Sequence, residues 1–459
     1  MPKKKTALTI EERLQQALVP AEEQPYEVPE NWVWVRLGEV TKVVGGGTPS
    51  TSKKEYYDQG NISWLSPVDL SNYNGIYISR GNKMITLEGL NNSSAKLLPK
   101  DTVCLTSRAP IGYVAIAEKE LCTNQGFKSF LPSPTYLAKF LYWYLKGNKE
   151  LLESKASGTT FLELSASKAA TIEFPLPPLS EQQRIVERIE EFFAKLDEAK
   201  ERLQEVADSF AVRKAAILHK AFTGELTKQW RCENGVSDES WEEKKFDYCI
   251  EKMQNGLSKR KGDEGNNIGV LRLANLGEDD LVLDDLRYIL LTEKEEKNYL
   301  LSKDDVIMIR VNSSKDNVAR QIVINTDEKL AFCDHIIRIK YNPNIVARYV
   351  MYFSKTNAYR KYVEDNMVSS AGQNTISRKG LASLVIPLPS IEEQHEIVRL
   401  IDDLLARERK AQQAAEQALA SIDLMKKSIL ARAFRGELGA NKASEESALE
   451  LLRQVLAEN

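Results

Sequence analysis

The chain contains an internal repeat with a spacing of 212 residues, and this repeat constrains the fold more than any other sequence feature. PLPPLSEQQRIVERI (175–189) matches PLPSIEEQHEIVRLI (387–401), and AILHKAFTGEL (216–226) matches SILARAFRGEL (428–438). Both matches keep the same spacing, so no gap falls between them. A long exact period of this kind indicates a duplicated architecture rather than one continuous core.

Each matched segment follows a longer block, and the two blocks resemble each other only loosely. NISWLSPVDL resembles NIGVLRLANL, LLPKDTVCL resembles LLSKDDVIM, and PTYLAKFLYWYL resembles PNIVARYVMYFS. Turn residues such as NYNG, NNSS and RAPIG separate short apolar runs such as VCLT and YVAIA, which are typical of strands. We therefore predict a compact α+β fold for each block.

The alternation of blocks and matched segments predicts the domain organisation. The predicted parts are an N-terminal helix and extended segment (1–30), a first globular domain (31–175), a first helical spacer (176–226), a linker (227–240), a second globular domain (241–387), a second helical spacer (388–438) and a C-terminal helix (439–459). A capping box of Thr9 and Glu12 predicts the start of the N-terminal helix. We expect the two terminal helices to pack as a pair or to dock a partner.

The matched segments are predicted to form long helices with a coiled-coil seam. Their apolar residues recur at alternating spacings of four and three, which is the heptad pattern. The predicted seam residues are Ile185, Ile189, Phe192, Leu196, Ala199, Leu203, Val206, Phe210, Ile217 and Ala221 in the first segment, and Ile397, Ile401, Leu404, Ala411, Ala415, Ala418, Ile422, Met425, Ile429 and Ala433 in the second.

Local signals predict where these helices begin and end. The predicted capping boxes are Ser180 with Gln183 and Ser390 with Glu393. Gly224 and Gly436 are predicted to end the helices in the left-handed conformation. About 40 residues at about 1.5 Å each predict a rod of roughly 60 Å. Two copies in one chain favour an antiparallel internal pair with pseudo-two-fold symmetry, although a zipper between two chains would use the same pattern.

A pseudo-two-fold axis predicts one register for the helix pair. If the axis passes between the Leu203 and Val206 layers, Arg213 faces Glu408, and Leu196 faces Met425. This register brings together one charge of each sign, and it predicts a polar layer within the seam. The alternative is that both charged side chains extend outward into solvent.

Composition and motifs exclude several classes of protein. No apolar run reaches the length of a membrane span, and the basic start MPKKK lacks the apolar core of a secretory signal. The five cysteines are widely spaced without a CxxC pair, so we expect buried, reduced thiols in a cytoplasmic protein. GGGTPS lacks the GK[ST] ending of a phosphate-binding loop and is predicted to be a flexible turn. We find no catalytic, metal-ligating or amino-methyltransferase signature, and the chain is predicted to be a non-enzyme.

Recognition of DNA is the function that the duplication favours. Two similar but diverged modules at a fixed separation suit a linear ligand whose half-sites repeat with the helical period. Residues 31–174 contain 16 Lys and Arg against 12 Asp and Glu, although the whole chain has a net charge of −3. Arg pairs with guanine and Asn or Gln with adenine, whereas Lys suits phosphates. The candidate DNA-binding residues are Lys53, Lys54, Asn72, Asn74, Asn92, Arg108, Asn124 and Gln125 in the first block, and Asn255, Lys259, Arg260, Lys261, Arg272, Asn275, Arg310, Asn312, Lys315, Gln373 and Asn374 in the second.

The chain resembles the specificity (S) subunits of type I restriction–modification systems. The resemblance rests on WVRLGEVTKVVGGGTPS, WLSPVDL, LTSRAPIGYVAIA, TNQGFKSF and the two proline–EQ–IV and GEL segments, and it covers essentially the whole chain. The second block departs from the pattern, with QNGLSKRKG and RVNSSKDN in place of GGTPS and RAPIG.

The resemblance implies an α+β protein with two globular target recognition domains, which are separated by two long antiparallel coiled-coil helices. Each domain would read one half of a bipartite site in double-stranded DNA, and the helices would dock two modification (methyltransferase) subunits. Restriction (translocase–nuclease) subunits would join that core. S-adenosylmethionine, ATP and Mg would belong to these partners, with no cofactor, metal or catalytic residue in this chain.

Three other interpretations stay open on the sequence. The chain could be the DNA-recognition subunit of a related methyltransferase complex without a restriction partner. It could also be an enzyme with an unrecognised active site, or a coiled-coil scaffold with no role in DNA binding.

Overall fold

The structure is a computed structural model, and it describes residues 9–158 and 162–458. The α-helices are α1 (Ile10–Ala17), α2 (Leu37–Val40), α3 (Leu87–Asn91), α4 (Ala138–Gly147), α5 (Lys149–Lys155), α6 (Ala166–Ala170), α7 (Leu179–Asp208), α8 (Phe210–Phe222), α9 (Lys228–Asn234), α10 (Phe246–Cys249), α11 (Glu293–Tyr299), α12 (Ala347–Phe353), α13 (Asn357–Asn366), α14 (Arg378–Leu381), α15 (Ile391–Ala433) and α16 (Ala448–Glu458). The strands are β1 (Val33–Arg36), β2 (Val43–Gly45), β3 (Ile62–Leu65), β4 (Tyr77–Ile78), β5 (Lys83–Ile85), β6 (Val103–Ser107), β7 (Ile111–Ala117), β8 (Cys122–Thr123), β9 (Phe127–Phe130), β10 (Glu173–Leu176), β11 (Glu242–Lys245), β12 (Ile250–Asn255), β13 (Asn266–Leu271), β14 (Arg287–Leu291), β15 (Val306–Ile309), β16 (Val311–Asn312), β17 (Gln321–Val323), β18 (Leu330–Phe332), β19 (Ile336–Tyr341), β20 (Val368–Ser370), β21 (Gln373–Thr375) and β22 (Val385–Leu388).

The chain divides into two compact units that each draw on both matched segments. The first unit joins the residues up to Arg202 with those from Ala418 onward, and the second comprises 203–417. Because α7 and α15 each cross this division, each unit contains one globular block and sections of both long helices.

The strand order of the two blocks confirms the internal repeat. The first block contains the sheets β2-β9-β6-β7-β4, β5-β3-β8 and β1-β10, and the second contains β12-β19-β15-β17, β14-β13-β18 and β11-β22. In both β5-β3-β8 and β14-β13-β18 the central strand has one antiparallel and one parallel neighbour. The second block adds a small sheet, β16-β21-β20. The loosely similar sequences therefore form the same α+β fold.

Each block packs its core against one end of the long helices. In the first unit, Phe140 and Tyr144 of α4 contact the ring of Phe434, which follows α15. In the second unit, Tyr349 of α12 contacts the ring of Phe222 at the end of α8. A helical stripe of large apolar side chains thus attaches each globular block to its rod.

The heptad pattern predicted most of the inward-facing positions, but it was wrong at several of them. Phe192, Val206 and Met425 are 37%, 45% and 50% exposed, and Ala411 is also exposed. A straight α-helix has 3.6 residues per turn, so its inner face drifts away from a strict 3.5-residue pattern. The predicted apolar pair of Leu196 with Met425 is therefore not a buried layer.

Neighbouring residues take several of these inward positions. Phe193 packs against the core of the first unit, and Lys426 lies over its ring at 5.0 Å. In the second unit Leu405 is buried and Leu404 is only partly buried. The first matched segment is also interrupted at Ser209, between α7 and α8, whereas α15 is one unbroken helix of 43 residues.

The EQ pair of each matched segment holds the helix start to the globular block. The predicted capping box of Ser180 with Gln183 is wrong, because α7 begins at Leu179, which places Ser180 inside the helix, and Gln183 bonds to Glu187. The buried Gln182 instead accepts from the Leu137 backbone N–H at 2.8 Å and donates to two backbone carbonyls.

The second copy repeats this glutamine contact. Gln394 accepts from the Val346 backbone N–H at 2.9 Å and donates to the carbonyls of Asn344 and Pro389. The Ser390 hydroxyl accepts from the Glu393 backbone N–H as predicted, but the Glu393 side chain does not close the box. Each glutamine thus fixes the loop before α4 or α12 to the start of a long helix.

The glutamates of the EQ pairs are fully buried and accept from different donors. Glu181 accepts from the Trp32 indole at 2.8 Å and from Asn441 at 3.0 Å. Glu393 accepts from Arg231 at 2.7 Å and from Thr227 at 2.6 Å, and thereby ties α9 to α15. The glutamate of the matched motif therefore binds segments near the chain termini in the first unit, and it binds the linker between the two domains in the second unit.

The structure tests the predicted ends of the long helices and the predicted pairing of the two terminal helices. Gly224 and Gly436 have φ values of +78° and +75°, so the left-handed ends are confirmed. The capping box of Thr9 with Glu12 is present, and α1 packs on α16, where the Arg13 guanidinium donates to the Leu456 carbonyl at 2.7 Å. Pairing of the chain ends is thus confirmed.

The cysteines and helices bear on the predicted class of protein. All five cysteines are free, but Cys232 is exposed and Cys333 is only partly buried, so the prediction of uniformly buried thiols was wrong. In the described part of the chain, no helix combines the length and apolar character that crossing a bilayer requires. Across the same ranges, no group of His, Cys, Asp and Glu side chains is arranged to hold a metal ion.

Candidate nucleic-acid interface

The glycine-rich segment that follows β2 lies in close contact with the turn after β8. A Cβ on Gly46 would lie 2.0 Å from the Asn124 carbonyl oxygen, and one on Gly47 would lie 2.3 Å from the Ala95 nitrogen. The Gly47 N–H donates to the Thr123 carbonyl at 2.9 Å. The prediction of a plain flexible turn is therefore wrong, since the glycines are needed for close backbone approach.

This packing gathers several polar side chains at one edge of the first domain. The Thr48 hydroxyl donates to Gln125, and Lys128 Nζ donates to Ser107 Oγ at 3.1 Å. We call this group the first cluster, and its members are Thr48, Ser107, Arg108, Gln125, Lys128 and Glu163.

The first cluster is electropositive despite its carboxylate. Glu163 lies 3.5 Å from Lys128 Nζ and 3.9 Å from Arg108 Nη1, so two cations surround one anion. Lys128 is almost fully buried, whereas Arg108 is 38% exposed and Gln125 is exposed. Arg108 and Gln125 are therefore available to base edges, and Lys128 has a supporting position.

The other candidates of the first domain are exposed but scattered. Lys53 donates to the Tyr56 hydroxyl at 2.9 Å, and this hydrogen bond raises the pKa of its ammonium group above the ordinary value. Asn92 donates to the Glu88 carbonyl at the end of α3, and Asn72 occupies a turn at a φ of +62°. The exposed candidates that no described contact joins to the first cluster are Lys53, Lys54, Asn72, Asn74 and Asn92.

The second domain repeats the glycine contact with different side chains. A Cβ on Gly256 would lie 2.1 Å from the Cys333 carbonyl oxygen, and the Leu257 N–H donates to the Phe332 carbonyl at 2.8 Å. Burial is the main cause that raises the pKa of the Cys333 thiol. The close approach of two backbones is thus a shared feature of both domains, although only one has the GGG sequence.

Beside this contact the second domain forms a cationic pocket of about 220 Å³. Its apolar floor includes Val270 and Ile289. We call it the second-domain pocket, and its basic lining residues are Lys259, Arg260, Arg272, Arg287 and His335.

Acidic neighbours already neutralise two of these cations. Lys259 Nζ lies 3.0 Å from the Glu295 carboxylate, and the pKa of Glu295 is lowered first by the Thr292 backbone N–H and then by this lysine. Arg272 pairs with Asp285 at 2.8 Å. Within the described residues, Arg260 and Arg287 are in no ion pair, so they are the cations that the pocket offers to a ligand.

A second set of candidate DNA-binding residues lies on or near the small sheet β16-β21-β20. Asn312 on β16 pairs in register with Asn374 on β21, next to the exposed Gln373. The Arg310 backbone N–H donates to the His335 carbonyl at 2.8 Å, which joins this sheet to the second-domain pocket. The structure therefore places Arg310, Asn312 and Gln373 on or directly next to this small sheet. Lys315 follows in the adjacent turn and pairs with an exposed glutamate.

Two candidates are wrong because their side chains are buried and fully engaged. Asn275 is 2% exposed, accepts from the Arg272 N–H at 2.9 Å and donates to two carbonyls of the same loop. Asn374 is 6% exposed, accepts from Ser369 and donates to the Ser313 carbonyl at 2.8 Å. Buried amides complete loop hydrogen bonds, and no sequence pattern separates them from amides that face solvent.

Two further asparagines combine exposure with a local structural role. Asn124 accepts from the Gly126 N–H at 2.8 Å, and Asn312 accepts from the Ser314 N–H at 2.9 Å. Both are partly exposed. Asn255, at the end of β12, and Lys261, in the following loop, are exposed. All four residues remain candidates, although Asn124 and Asn312 already accept hydrogen bonds within their own turns.

Sequence reasoning missed the residues that are brought in by distant strands. Arg287 comes from β14 and His335 from the turn before β19. Gly126 and His335 occupy corresponding positions, because the Ser107 N–H donates to the Gly126 carbonyl in one domain as the Arg310 N–H donates to the His335 carbonyl in the other. Aligning TNQGF with FCDHI would have placed His335 opposite Gly126, next to the predicted Gln125, but no comparable signal marks Arg287.

Comparison with a family model identifies both halves of the chain. The family described as "Type I restriction modification DNA specificity domain" matches residues 29–208 and 239–417. The first match contains one globular block and α7, and the second contains the other block and the first part of α15.

Individual proteins of known name are similar over most or part of the chain. The type I restriction enzyme StySPI specificity subunit of Salmonella potsdam is 30% identical over 94% of this chain and 96% of its own length. The EcoKI specificity subunit of Escherichia coli is 25% identical over the same shares of both chains. The MjaIX specificity subunit of Methanocaldococcus jannaschii is 40% identical over 40% of this chain and 43% of its own.

Solved structures show the same fold at low sequence identity. The HsdS subunit from Thermoanaerobacter tengcongensis has a TM-score of 0.64 at 18% identity, and the match covers 90% of this chain and 99% of that one. A chain from a structure of complex assembly and conformational transition of the type I R-M system has a TM-score of 0.63 at 20% identity, and covers 90% of this chain and 100% of its own.

Proposed function

The chain belongs to the family of type I restriction–modification DNA specificity subunits, and we propose that each of its domains reads one half of a bipartite DNA site. It is the DNA-sequence specificity subunit of a restriction–modification complex. The observation that supports the division into half-sites is a shared backbone scaffold with different side chains. Gly46 and Gly256 make the same close approach, but the first cluster and the second-domain pocket differ in residues and charge.

The chemistry of the two sites supports direct readout of bases. Gln125 in the first domain and Arg260 in the second are exposed, Arg108 and Arg287 are partly exposed, and all four carry planar hydrogen-bonding groups. Such groups pair bidentately with guanine or adenine in the major groove. Exposed lysines at the periphery, such as Lys54, suit phosphate contacts that orient the domain without reading sequence.

A domain exchange tests the proposal. Residues 31–174 are replaced by the corresponding block of the Salmonella potsdam relative, and methylated adenines are mapped by sequencing the DNA of cells that express the complete system. We expect one half-site to change and the other to persist, because each domain has its own core and its own site. A change in both halves would contradict independent reading.

The partners supply the chemistry in this proposal. Two modification subunits dock on the helices, restriction subunits join them, and S-adenosylmethionine, ATP and Mg bind to these partners in the cytoplasm. The chain itself is non-catalytic. Purified chain is therefore expected to leave DNA unmethylated with S-adenosylmethionine, and addition of the modification subunits restores methylation. ATP-dependent cleavage by the complete assembly distinguishes a restriction system from a complex that only methylates.

A further inference from the structure

The second unit has an apolar groove at the junction of α8, α12 and the strand pair β11-β22. Its volume is about 500 Å³, which lies within the range of pockets that enclose a ligand. We call it the Phe222 groove, and its lining includes Leu218, Phe222, Glu243, Phe353, Val385 and Pro387.

The internal repeat identifies the corresponding place in the first unit. Phe222 corresponds to Phe434 at the spacing of 212, and Phe353 corresponds to Tyr144 in the match of PTYLAKFLYWYL with PNIVARYVMYFS. The strand pairs give the last equivalence. Leu176 and Leu388 correspond at the spacing of 212, and they pair with Val33 and Glu242, so Val33 corresponds to Glu242. Glu243 therefore stands where the first unit has Trp34.

In the first unit this place is filled by aromatic side chains of the same chain. Trp34 is 2% exposed, and its ring meets Tyr26 edge-on at 4.9 Å. Arg435 lies over the Tyr26 ring at 5.2 Å. Burial raises the pKa of Tyr26 to about 12, with Arg435 acting in the opposite direction. Phe434, the counterpart of Phe222, is 2% exposed.

Among the residues that the structure describes, none covers the equivalent place in the second unit in this way. The chain enters β11 from α9 through a short loop held by Arg231 and Asp238, so no extended segment like the one that carries Tyr26 precedes the strand. Glu243 is exposed, Val385 is 45% exposed, and Phe222 is only partly buried. The aromatic base of the groove is thus built as in the first unit but is open to solvent.

We propose that the Phe222 groove docks an extended segment of another subunit of the complex, which inserts a tryptophan or tyrosine side chain. The first unit shows the chemistry of the occupant, because an indole and a phenol fill the equivalent space there. The Glu243 carboxylate on the groove wall favours a ring that carries an N–H or O–H donor over phenylalanine. Since the first unit covers its own groove, one such segment binds per chain. The two units of the internal repeat therefore differ in the surface that they offer to a partner subunit.

Free indole is the probe for the groove itself. The full-length chain is labelled at alanine methyl groups, and indole is added to concentrations on the order of 1 mM, where weak fragment binding is visible by NMR. We expect shifts of Ala215 and Ala358, which line the groove, and none of Ala411 on α15. Glu243→Trp, which places the first unit's residue in the groove, abolishes the shifts, whereas Glu242→Trp on the adjacent strand position retains them. Absence of shifts in the unsubstituted chain, or their persistence in Glu243→Trp, would overturn the proposal.

Photo-cross-linking tests the occupant. The assembled complex carries p-benzoylphenylalanine in place of Thr223, an exposed residue at the groove rim. We expect a cross-link to one tryptophan- or tyrosine-containing segment of a partner subunit, at one per chain, with a yield lowered about tenfold by Glu243→Trp. Indole binding without a partner cross-link would overturn the docking, and so would equal yields in Glu243→Trp and Glu242→Trp. The half-sites mapped by the domain exchange do not depend on either outcome, so the two proposals fail separately.

Discussion

Arg213 on α8 donates from Nε to the Glu408 carboxylate on α15 at 2.8 Å, and this contact confirms the pairing of these two residues that the pseudo-two-fold register predicted. The guanidinium also contacts the Ser209 hydroxyl and lies over the Phe210 ring at 4.3 Å. The side chains are 37% and 27% exposed, so the pair is at the edge of the seam rather than within it. Neither charge extends freely into solvent.

The Arg213 and Glu408 pair is expected to contribute modest coupling. Partly exposed ion pairs contribute about 1 kcal/mol or less, well below a fully buried pair. A double-mutant cycle of Arg213→Met and Glu408→Leu, measured by urea unfolding, should give about 0.5–1 kcal/mol at low salt and less at high salt. Coupling near zero at low salt would show that the contact has no energetic role.

The buried Glu393 is expected to be far more important for stability. Its side chain is 0% exposed and pairs with Arg231, which is 7% exposed. Glu393→Ala leaves a buried guanidinium without its main partner, and we expect a loss of about 3 kcal/mol in unfolding free energy. Glu392→Ala, on the exposed side of the same helical turn, is the matched control and should change stability far less than Glu393→Ala, because its carboxylate is exposed. Similar losses in the two variants would contradict the assignment.

Glu181 provides a pH-dependent test with a defined sign. Burial raises its pKa above 4.5, and hydrogen bonds from Trp32 and Asn441 only partly oppose this. The folded state therefore holds the proton more tightly than the unfolded state, and this group's contribution to stability is lost as pH rises from below 4.5 through the folded pKa. Glu181→Gln keeps an acceptor for Trp32 but cannot ionise. Relative to the unsubstituted chain, it should become more stable as pH increases from 4 to 7.

Glu191 serves as the control of opposite sign. A hydrogen bond from Lys195 lowers the pKa of this exposed carboxyl group below 4.5. Glu191→Gln should therefore lose stability relative to the unsubstituted chain over the same rise in pH. Thermal unfolding at several pH values measures both variants. Parallel pH profiles for Glu181→Gln and the unsubstituted chain would rule out the effect of burial.

Arg287 is expected to determine sequence preference in the second half-site. It lines the second-domain pocket without an ionic partner among the described residues. Arg287→Ala in the assembled complex should weaken binding to the cognate site by about 1–3 kcal/mol and relax one base position. Lys379→Ala on α14, an exposed cation that does not line the pocket, is the control and should leave the methylated sequence unchanged. Unaltered specificity of Arg287→Ala would exclude it from readout.

The sequence by itself determined the features that depend on periodicity and local chemistry. The spacing of 212 predicted the shared topology, the heptads predicted the long helices, and symmetry between them predicted the pair of Arg213 with Glu408. Capping at Thr9 and the left-handed Gly224 also followed from the sequence. Such features arise from neighbouring residues or from exact repetition, so they are present in the sequence before folding.

Only the tertiary structure decided which side chains are consumed by contacts between distant segments. Asn275 and Asn374 look like readers of adenine in the sequence, but both satisfy buried loop carbonyls. Arg287 gains its candidate role because β14 pairs with β13 and so brings it beside Val270 in the pocket. The exposure of an individual polar side chain depends on what packs over it, and closely similar residues in a repeat can therefore be covered in one copy and open in the other.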